Sequence, residues 1–335
     1  MEIKNCPGLL LEGYDEYSPL FLRRMFNGRK VSHILLYHAP EDEEEDQKKF
    51  LQNQTRISIS GVQEKYSLLL VKNILRLTEE NEQGTYILKP KPHGLQRTGM
   101  VPANEHLTMQ IASQVYKIPT AENGLVFFRN NEPAYLTRRF DVDLDGNKLG
   151  KEDFASLAGK TEVNAGKNFK YDYSYEGIAE LIKKYVGAWK IEMEKFYSLV
   201  VFNFLFSNGD AHLKNFSLLE TRNGDFILSP ACDLLNTRIH VAEESMFALV
   251  SDLFKERHWS DCRIKNTLHH PCKEDFIEFG KKIDINEKRI NNLLEPFLKP
   301  QKEVENFIQR SFLDTDTKKL YKDHYDERLK MLNKR

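Results

Sequence analysis

The chain has almost no surplus of either charge: 49 Lys and Arg stand against 50 Asp and Glu, leaving a net charge of −1 over 335 residues. Direct binding to a polyanion normally shows as a basic excess, so the balance gives no sign of a nucleic-acid reader. Cysteine is scarce, and Cys6, Cys232, Cys262 and Cys272 lie far apart in sequence. That spacing excludes a disulfide framework and fits a reduced compartment. Long apolar runs are missing as well: the most apolar stretch, residues 196–206, is too short to span a bilayer. Acidic residues fall within the first sixteen positions, with no apolar segment of the signal-peptide kind. The expectation is a cytoplasmic protein with no membrane partner.

The length suffices for two lobes, each with its own core. The chain is organised around residues 207–215, where Asp210 precedes Asn215 by five positions. Phosphotransferases of the protein-kinase kind use this spacing in their catalytic loop: the Asp meets the acceptor hydroxyl and the Asn holds magnesium. Residues 216–220 and 226–230 read as two strands joined by a turn at Asn223 and Gly224. A hairpin there brings Asp233 beside Asn215, and a carboxylate with a carboxamide suits a hard cation such as Mg2+ carried in by a nucleotide. The plainer reading of the same residues is a surface loop with a hairpin behind it.

In the first 140 residues, a short amphipathic helix is expected over 17–26 and a strand over 32–37. The six consecutive acids at 41–46 read as a solvated loop. Three β-rich runs follow at 66–71, 74–77 and 85–89, preceded by a small, polar turn. Ser58, Ser60 and Gly61 have side chains small enough to let backbone N–H groups approach phosphates. Lys89 ends a strand, as a solvent-facing edge charge does and as the phosphate-pairing lysine of a kinase does. Residues 103–116 carry Leu107, Ile111, Ala112 and Val115 at helical spacing, with Asn104 as the expected N-cap. Glu105 in that first turn either complements the helix dipole or pairs with Lys89. A second hairpin over 125–128 and 134–137 runs into Arg138, Arg139 and Phe140, where the composition turns helical. An adenine ring fits such a crossing.

Beyond the boundary near residue 140, helices are expected over 175–185 and 192–206, and after Asp233 over 274–283, 287–298 and 303–334. His258, Cys262, His269, His270 and Cys272 match no common zinc spacing and read as ordinary residues. The fold class that follows is α+β, with a β-rich N-lobe over 1–140 and a helical C-lobe over 141–335.

Assembled in order, these residues resemble the HipA family of bacterial serine/threonine kinases, and most of all its short HipT members from three-component toxin–antitoxin systems. The resemblance rests on residues 58–65, 87–89, 104–106, 139–141, 208–215 and 230–233. It implies a two-lobed, protein-kinase-like fold that uses ATP and Mg2+. Ser60, Gly61, Val62, Gln63, Glu64, Lys65 and Lys89 would contact the nucleotide phosphates, and Arg138, Arg139 and Phe140 the adenine. His212, Leu213, Lys214, Asn215, Cys232 and Asp233 would complete the nucleotide and metal site, with Cys232 standing where family members often have Tyr. Asp210 would be the catalytic residue, and Ser58 and Ser60 the sites of autophosphorylation. Phosphate there places about −1.5 to −2 charge where those of ATP belong, which silences the kinase.

Full-length HipA proteins carry a further β-rich N-terminal subdomain for which this chain has no room. A small HipS-like partner supplying it is therefore expected, along with a HipB-like helix-turn-helix antitoxin through which any DNA contact is indirect. The family's targets point to an aminoacyl-tRNA synthetase as substrate. Two other readings stand beside this one: a small-molecule kinase of the aminoglycoside type, which shares the Asp-to-Asn spacing, and a pseudokinase scaffold bridging antitoxins on an operator.

Overall fold

The structure, a computed structural model, describes residues 3–40, 63–143, 145–241, 245–256 and 270–334. Helix α1 (Pro19–Phe26) starts where the Ser18 side chain accepts from the Phe21 N–H at 3.3 Å, and stops where Asn27 turns left-handed at φ 55°. Its apolar face, Phe21, Met25 and Phe26, is buried. The strand expected over 32–37 does not form. Ile34 makes a lone parallel bridge to Phe127, and the segment exchanges one pair of hydrogen bonds there, Leu35 N–H to Phe127 C=O and Phe127 N–H to His33 C=O, each 2.8 Å. Leu35 turns inward while Ile34 and Leu36 stay exposed, so burial rewards only one residue of the run.

Strands β1 (Tyr66–Val71), β2 (Ile74–Leu77), β3 (Tyr86–Lys89), β4 (Asn123–Phe127) and β5 (Pro133–Arg138) form one antiparallel sheet in the order β2-β1-β3-β5-β4. Helix α2 (Val101–Gln114) packs on β4 and β5. It begins at Val101 after a 3-10 turn, Thr98–Met100, rather than at Asn104. Pro102 suits that first turn because its missing N–H has no partner to lose. The expected N-cap, Asn104, is instead fully buried inside the helix.

A three-stranded sheet follows, β6 (Lys151–Asp153), β7 (Ser217–Glu220) and β8 (Phe226–Leu228), with β7 in the middle. Short helices α3 (Phe154–Leu157) and α4 (Glu162–Ala165) precede α5 (Tyr175–Tyr185) and α6 (Trp189–Leu205). Helix α6 buries residues on every face, among them Phe196, Val200, Asn203 and Phe204, and so forms the axis of the helical part. The last described elements are α7 (Lys273–Lys282), α8 (Glu287–Leu294), α9 (Lys302–Arg310) and α10 (Thr315–Leu332). The continuous helix expected over 303–334 is thus two, because Asp314 caps a new start by accepting from Thr317 N–H at 2.7 Å.

Two hydrophobic cores result. One lies between α1 and one face of the five-stranded sheet and includes Phe21, Tyr66, Leu88 and Leu136. The other begins on the opposite face, at Leu107, Leu125 and Tyr135, and runs without interruption through Phe196 and Phe204 to Tyr321 in α10. Helix α2 is therefore packed against the helical half as well as against the sheet. No helix among the described residues is long and apolar enough to cross a membrane.

Candidate active site

Side chains alternate along β3: Leu88 enters the core shared with α1, and Lys89 points the other way, beneath α2. There Lys89 is only 4% exposed, and its Nζ lies 2.7 Å from Glu105 Oε1 while also donating to Asp233 Oδ1. The dipole role for Glu105 gives way to the ion pair. Burial works against the charge on Lys89, but Asp233 and Glu105 together hold its pKa above the ordinary value. Burial likewise works against the Asp233 carboxylate, yet Lys65 and Lys89 hold it far below the usual range. Lys65 Nζ is 3.6 Å from Asp233 Oδ2.

Asp233 owes this position to the hairpin. Leu218 pairs with Leu228 and Glu220 with Phe226, and the turn closes with Thr221 N–H donating to Asp225 C=O at 2.8 Å and Gly224 at φ 80°. The two ends meet as the sequence indicated, with Asn215 Nδ2 3.3 Å from Asp233 Oδ2. Asp233 itself is left-handed, φ 56°, a conformation that Asp tolerates better than most residues. Asn215 Oδ1 accepts from the His212 N–H at 3.1 Å. Both Asp233 oxygens face donors, Lys89 on Oδ1 and the Asn215 amide with Lys65 on Oδ2, so a divalent cation would have to displace at least one of them; for Asn215 to add its oxygen, the amide must turn over and release His212.

The loop carrying Asp210 is held from several sides. Asn208 Nδ2 donates to Asn203 Oδ1 on α6 at 3.0 Å, and the Thr237 hydroxyl accepts from Gly209 N–H at 2.9 Å while donating to Ser207 C=O at 3.0 Å. From α10, Arg328 Nε donates to Ser207 Oγ at 3.1 Å. The Asp210 side chain is exposed, and Oδ1 accepts from the Tyr171 hydroxyl at 2.6 Å. His212 is buried, which drives its pKa down to about 4 despite the nearby charge of Asp210, so its imidazole is neutral near pH 7. Helix α2 is tied to the same region through Asn104: Asn236 N–H donates to its Oδ1 at 3.0 Å, and its Nδ2 donates to Asn236 C=O at 2.9 Å.

Among the described residues, Lys65, Lys89, Glu105, Asp210, Asn215 and Asp233 all face one cleft of about 630 Å3, which the apolar side chains of Leu95, Val101, Val241 and Val250 also line. Gln63 lines it too, its amide donating to Pro90 C=O at 3.2 Å. Glu64 turns aside to accept from the Tyr66 hydroxyl. Leu213 is buried and, like Lys214 and Cys232, does not face this cleft. Burial and then the charge of Asp233 push the Cys232 thiol up to about 12, and its Sγ is 3.9 Å from Asn215 C=O.

Arg138, Arg139 and Phe140 also stand apart from the cleft. Arg138 reaches Asn27 Oδ1 at 3.2 Å, Arg139 pairs with Asp141 at 2.7 Å, and Lys151 Nζ lies 5.6 Å from the centre of the Phe140 ring. Ser58, Ser60, Gly61 and Val62 lie outside the described residues, as do the acidic run, His258, Cys262 and His269. Cys272 donates to Asp275 at 3.2 Å, and no metal-binding group of three or more His, Cys, Asp or Glu occurs among the described residues. Sequence reasoning missed Tyr171, Thr237 and the partner of Asn104. Only Tyr171 left a signal, the aromatic run Phe169, Tyr171, Tyr173 and Tyr175.

A β-rich sheet lobe and a helical lobe, with a lysine–glutamate pair and two aspartates between them, define a protein-kinase-like fold. Residues 57–304 match the HipA-like C-terminal domain, and the chain belongs to that family. A Haemophilus influenzae protein named as a presumed kinase is 29% identical over 294 residues, 84% of this chain and 83% of its own length. The presumed kinase Y4dM of Sinorhizobium fredii is 31% identical over 228 residues, 63% of this chain and 52% of its own. Among solved structures, HipA of Shewanella oneidensis, in complex with HipB and operator DNA, aligns with 82% of this chain at a TM-score of 0.59 and 21% identity. The present chain spans 64% of that one.

Proposed function

We propose that the chain is an ATP-dependent serine/threonine protein kinase of the short HipT type, with lobes 1–140 and 141–335. The observation that carries this reading is the buried Lys89, bonded to Glu105 on α2 and to Asp233 at the end of the hairpin, with Asp210 facing the same cleft. An acceptor hydroxyl oxygen attacks the γ-phosphorus of ATP and forms the new P–O bond as the bond to the ADP oxygen breaks. Its proton passes to the Asp210 carboxylate. Lys89 and Lys65 orient the phosphate tail, and positioning of this kind supplies most of the rate in phosphoryl transfer. Asp233 and Asn215 would hold magnesium, which neutralises charge on the phosphates.

The remaining elements of the proposal rest on the family resemblance. Arg138, Arg139 and Phe140 hold the adenine, Cys232 helps to complete the nucleotide and metal site, Ser60, Gly61 and Val62 contact the phosphates, and Ser58 and Ser60 are the sites of autophosphorylation. The cellular role is that of a toxin acting on an aminoacyl-tRNA synthetase. HipS-like and HipB-like proteins are its partners, and DNA is met only through the latter. The HipA, HipB and operator complex of Shewanella oneidensis supports the antitoxin partner.

The test is phosphopeptide mass spectrometry after incubation with Mg-ATP, comparing the wild type with Asp210→Asn. Phosphate on Ser58 or Ser60 is expected in the wild type alone. A wild type that binds ATP but incorporates no phosphate, while transferring it to an antibiotic or metabolite hydroxyl, would make the enzyme a small-molecule kinase. A wild type that binds no ATP would make it a scaffold.

A further inference from the structure

We propose that Tyr171 is a positioning residue for Asp210, its hydroxyl fixing one carboxylate oxygen so that the other is presented to the acceptor; this rests on the kinase reading above. The geometry is specific. Tyr171 donates to Asp210 Oδ1 at 2.6 Å, short for a neutral pair and typical of a hydroxyl on an ionised carboxylate. Asp210 is exposed, and among the described residues Tyr171 is the one side chain that hydrogen-bonds its carboxylate. Without this bond, a short side chain at the mouth of the cleft would sample several rotamers.

Tyr171 is itself held in place from both sides. Leu213 N–H of the Asp210 loop donates to Lys170 C=O at 3.0 Å, and Val250 N–H donates to Tyr171 C=O at 2.9 Å. The segment, a run of turns, is therefore pinned between the Asp210 loop and residues 249–252, an arrangement continued by Ser251 N–H to Tyr173 C=O at 3.1 Å. The ring of Tyr171 meets that of His212 edge-on at 5.2 Å, and Lys170 Nζ lies 4.9 Å from the ring centre. Tyr175, four residues on, donates its hydroxyl to Ala211 C=O at 3.0 Å. One tyrosine thus fixes the backbone beside Asp210 and the other its side chain. Burial, then the bond to Asp210, raise the phenol further above its ordinary pKa, so it remains a donor at any working pH.

A positioning donor and a hydroxyl that merely occupies the acceptor's place differ in sign. The experiment compares full-length wild type, Tyr171→Phe and Asp210→Asn by the initial rate of phosphate incorporation into the chain across a range of Mg-ATP concentrations, with thermal melts alongside. For Tyr171→Phe, which keeps the ring and its packing, kcat should fall by roughly tenfold or more while KM for ATP and the melting temperature stay put. A wild-type rate overturns the proposal. So does a faster rate, which would make the phenol a competitor for Asp210, and so does a rise in KM for ATP without loss of kcat, which would make Tyr171 a nucleotide contact. A wild type with no incorporation, indistinguishable from Asp210→Asn, defeats the kinase reading itself and this proposal with it.

Discussion

At the scale of single residues, Lys89 decides the most. It is 4% exposed and Glu105 2%, so the pair has given up water and each member depends on the other. Lys89→Met leaves the Glu105 carboxylate buried with no counter-charge and should lower the unfolding free energy by about 3–5 kcal/mol. Adding Glu105→Gln removes the stranded charge and should restore part of that loss. Urea unfolding of the two variants measures both effects, and equal stability of single and double variants would mean that Asp233, not Glu105, is the partner that matters. In the proposed kinase, chemistry and stability meet in this one side chain. The sequence places it at a strand end, where a solvent-facing edge charge is the commoner reading; only the position of α2 above β3 makes it a core residue.

At the scale of elements, the sheet and the N-terminal segment approach each other more closely than side chains normally allow. A Cβ on Gly124 in β4 would sit 2.5 Å from Phe21 Cζ of α1 and 3.2 Å from the Gly8 backbone. The ring can shift, but the backbone cannot move without disturbing Leu125 N–H, which donates to Pro7 C=O at 2.8 Å. Gly124→Ala should therefore cost about 1–3 kcal/mol by overpacking. A urea midpoint equal to that of the wild type would show that α1 gives way freely.

Local patterns served unevenly for these elements. The bounds of α5 and the β7–β8 hairpin follow from periodicity and turn chemistry, since both make most of their hydrogen bonds within the element or to the next strand. The start of α2 does not, because Asn104 is committed to Asn236, 132 residues away. A polar residue before an apolar run reads as a cap until its distant partner is known.

At the scale of the whole molecule, buried histidines set the response to pH. Burial lowers the pKa of His106, His212 and His324 to about 4, against an ordinary value of 6.5. Between those values the unfolded chain binds protons that the folded chain excludes, so stability falls as pH drops from about 6.5 to about 4. Asp252, raised to about 7 by burial, and Glu105, also raised, act in the opposite sense over the same window. Three histidines outweigh them, and chemical denaturation at several pH values should show the midpoint declining through that window. A midpoint that is flat or rises on acidification would mean that the carboxyls dominate.

The sequence by itself determined the spacing of Asp210 and Asn215, the hairpin that joins Asn215 to Asp233, and the order of β-rich and helical halves. All of these depend on residues close together in the chain, where periodicity, turn residues and fixed spacing carry the physics. Tertiary structure alone decided that Lys89 is buried, that Asn104 holds a loop rather than a helix end, that Tyr171 bonds Asp210, and that one core runs from the sheet through α2 into α10. Each of these is a contact between segments that the sequence sets far apart, and its energy comes from water excluded by packing that no local pattern records.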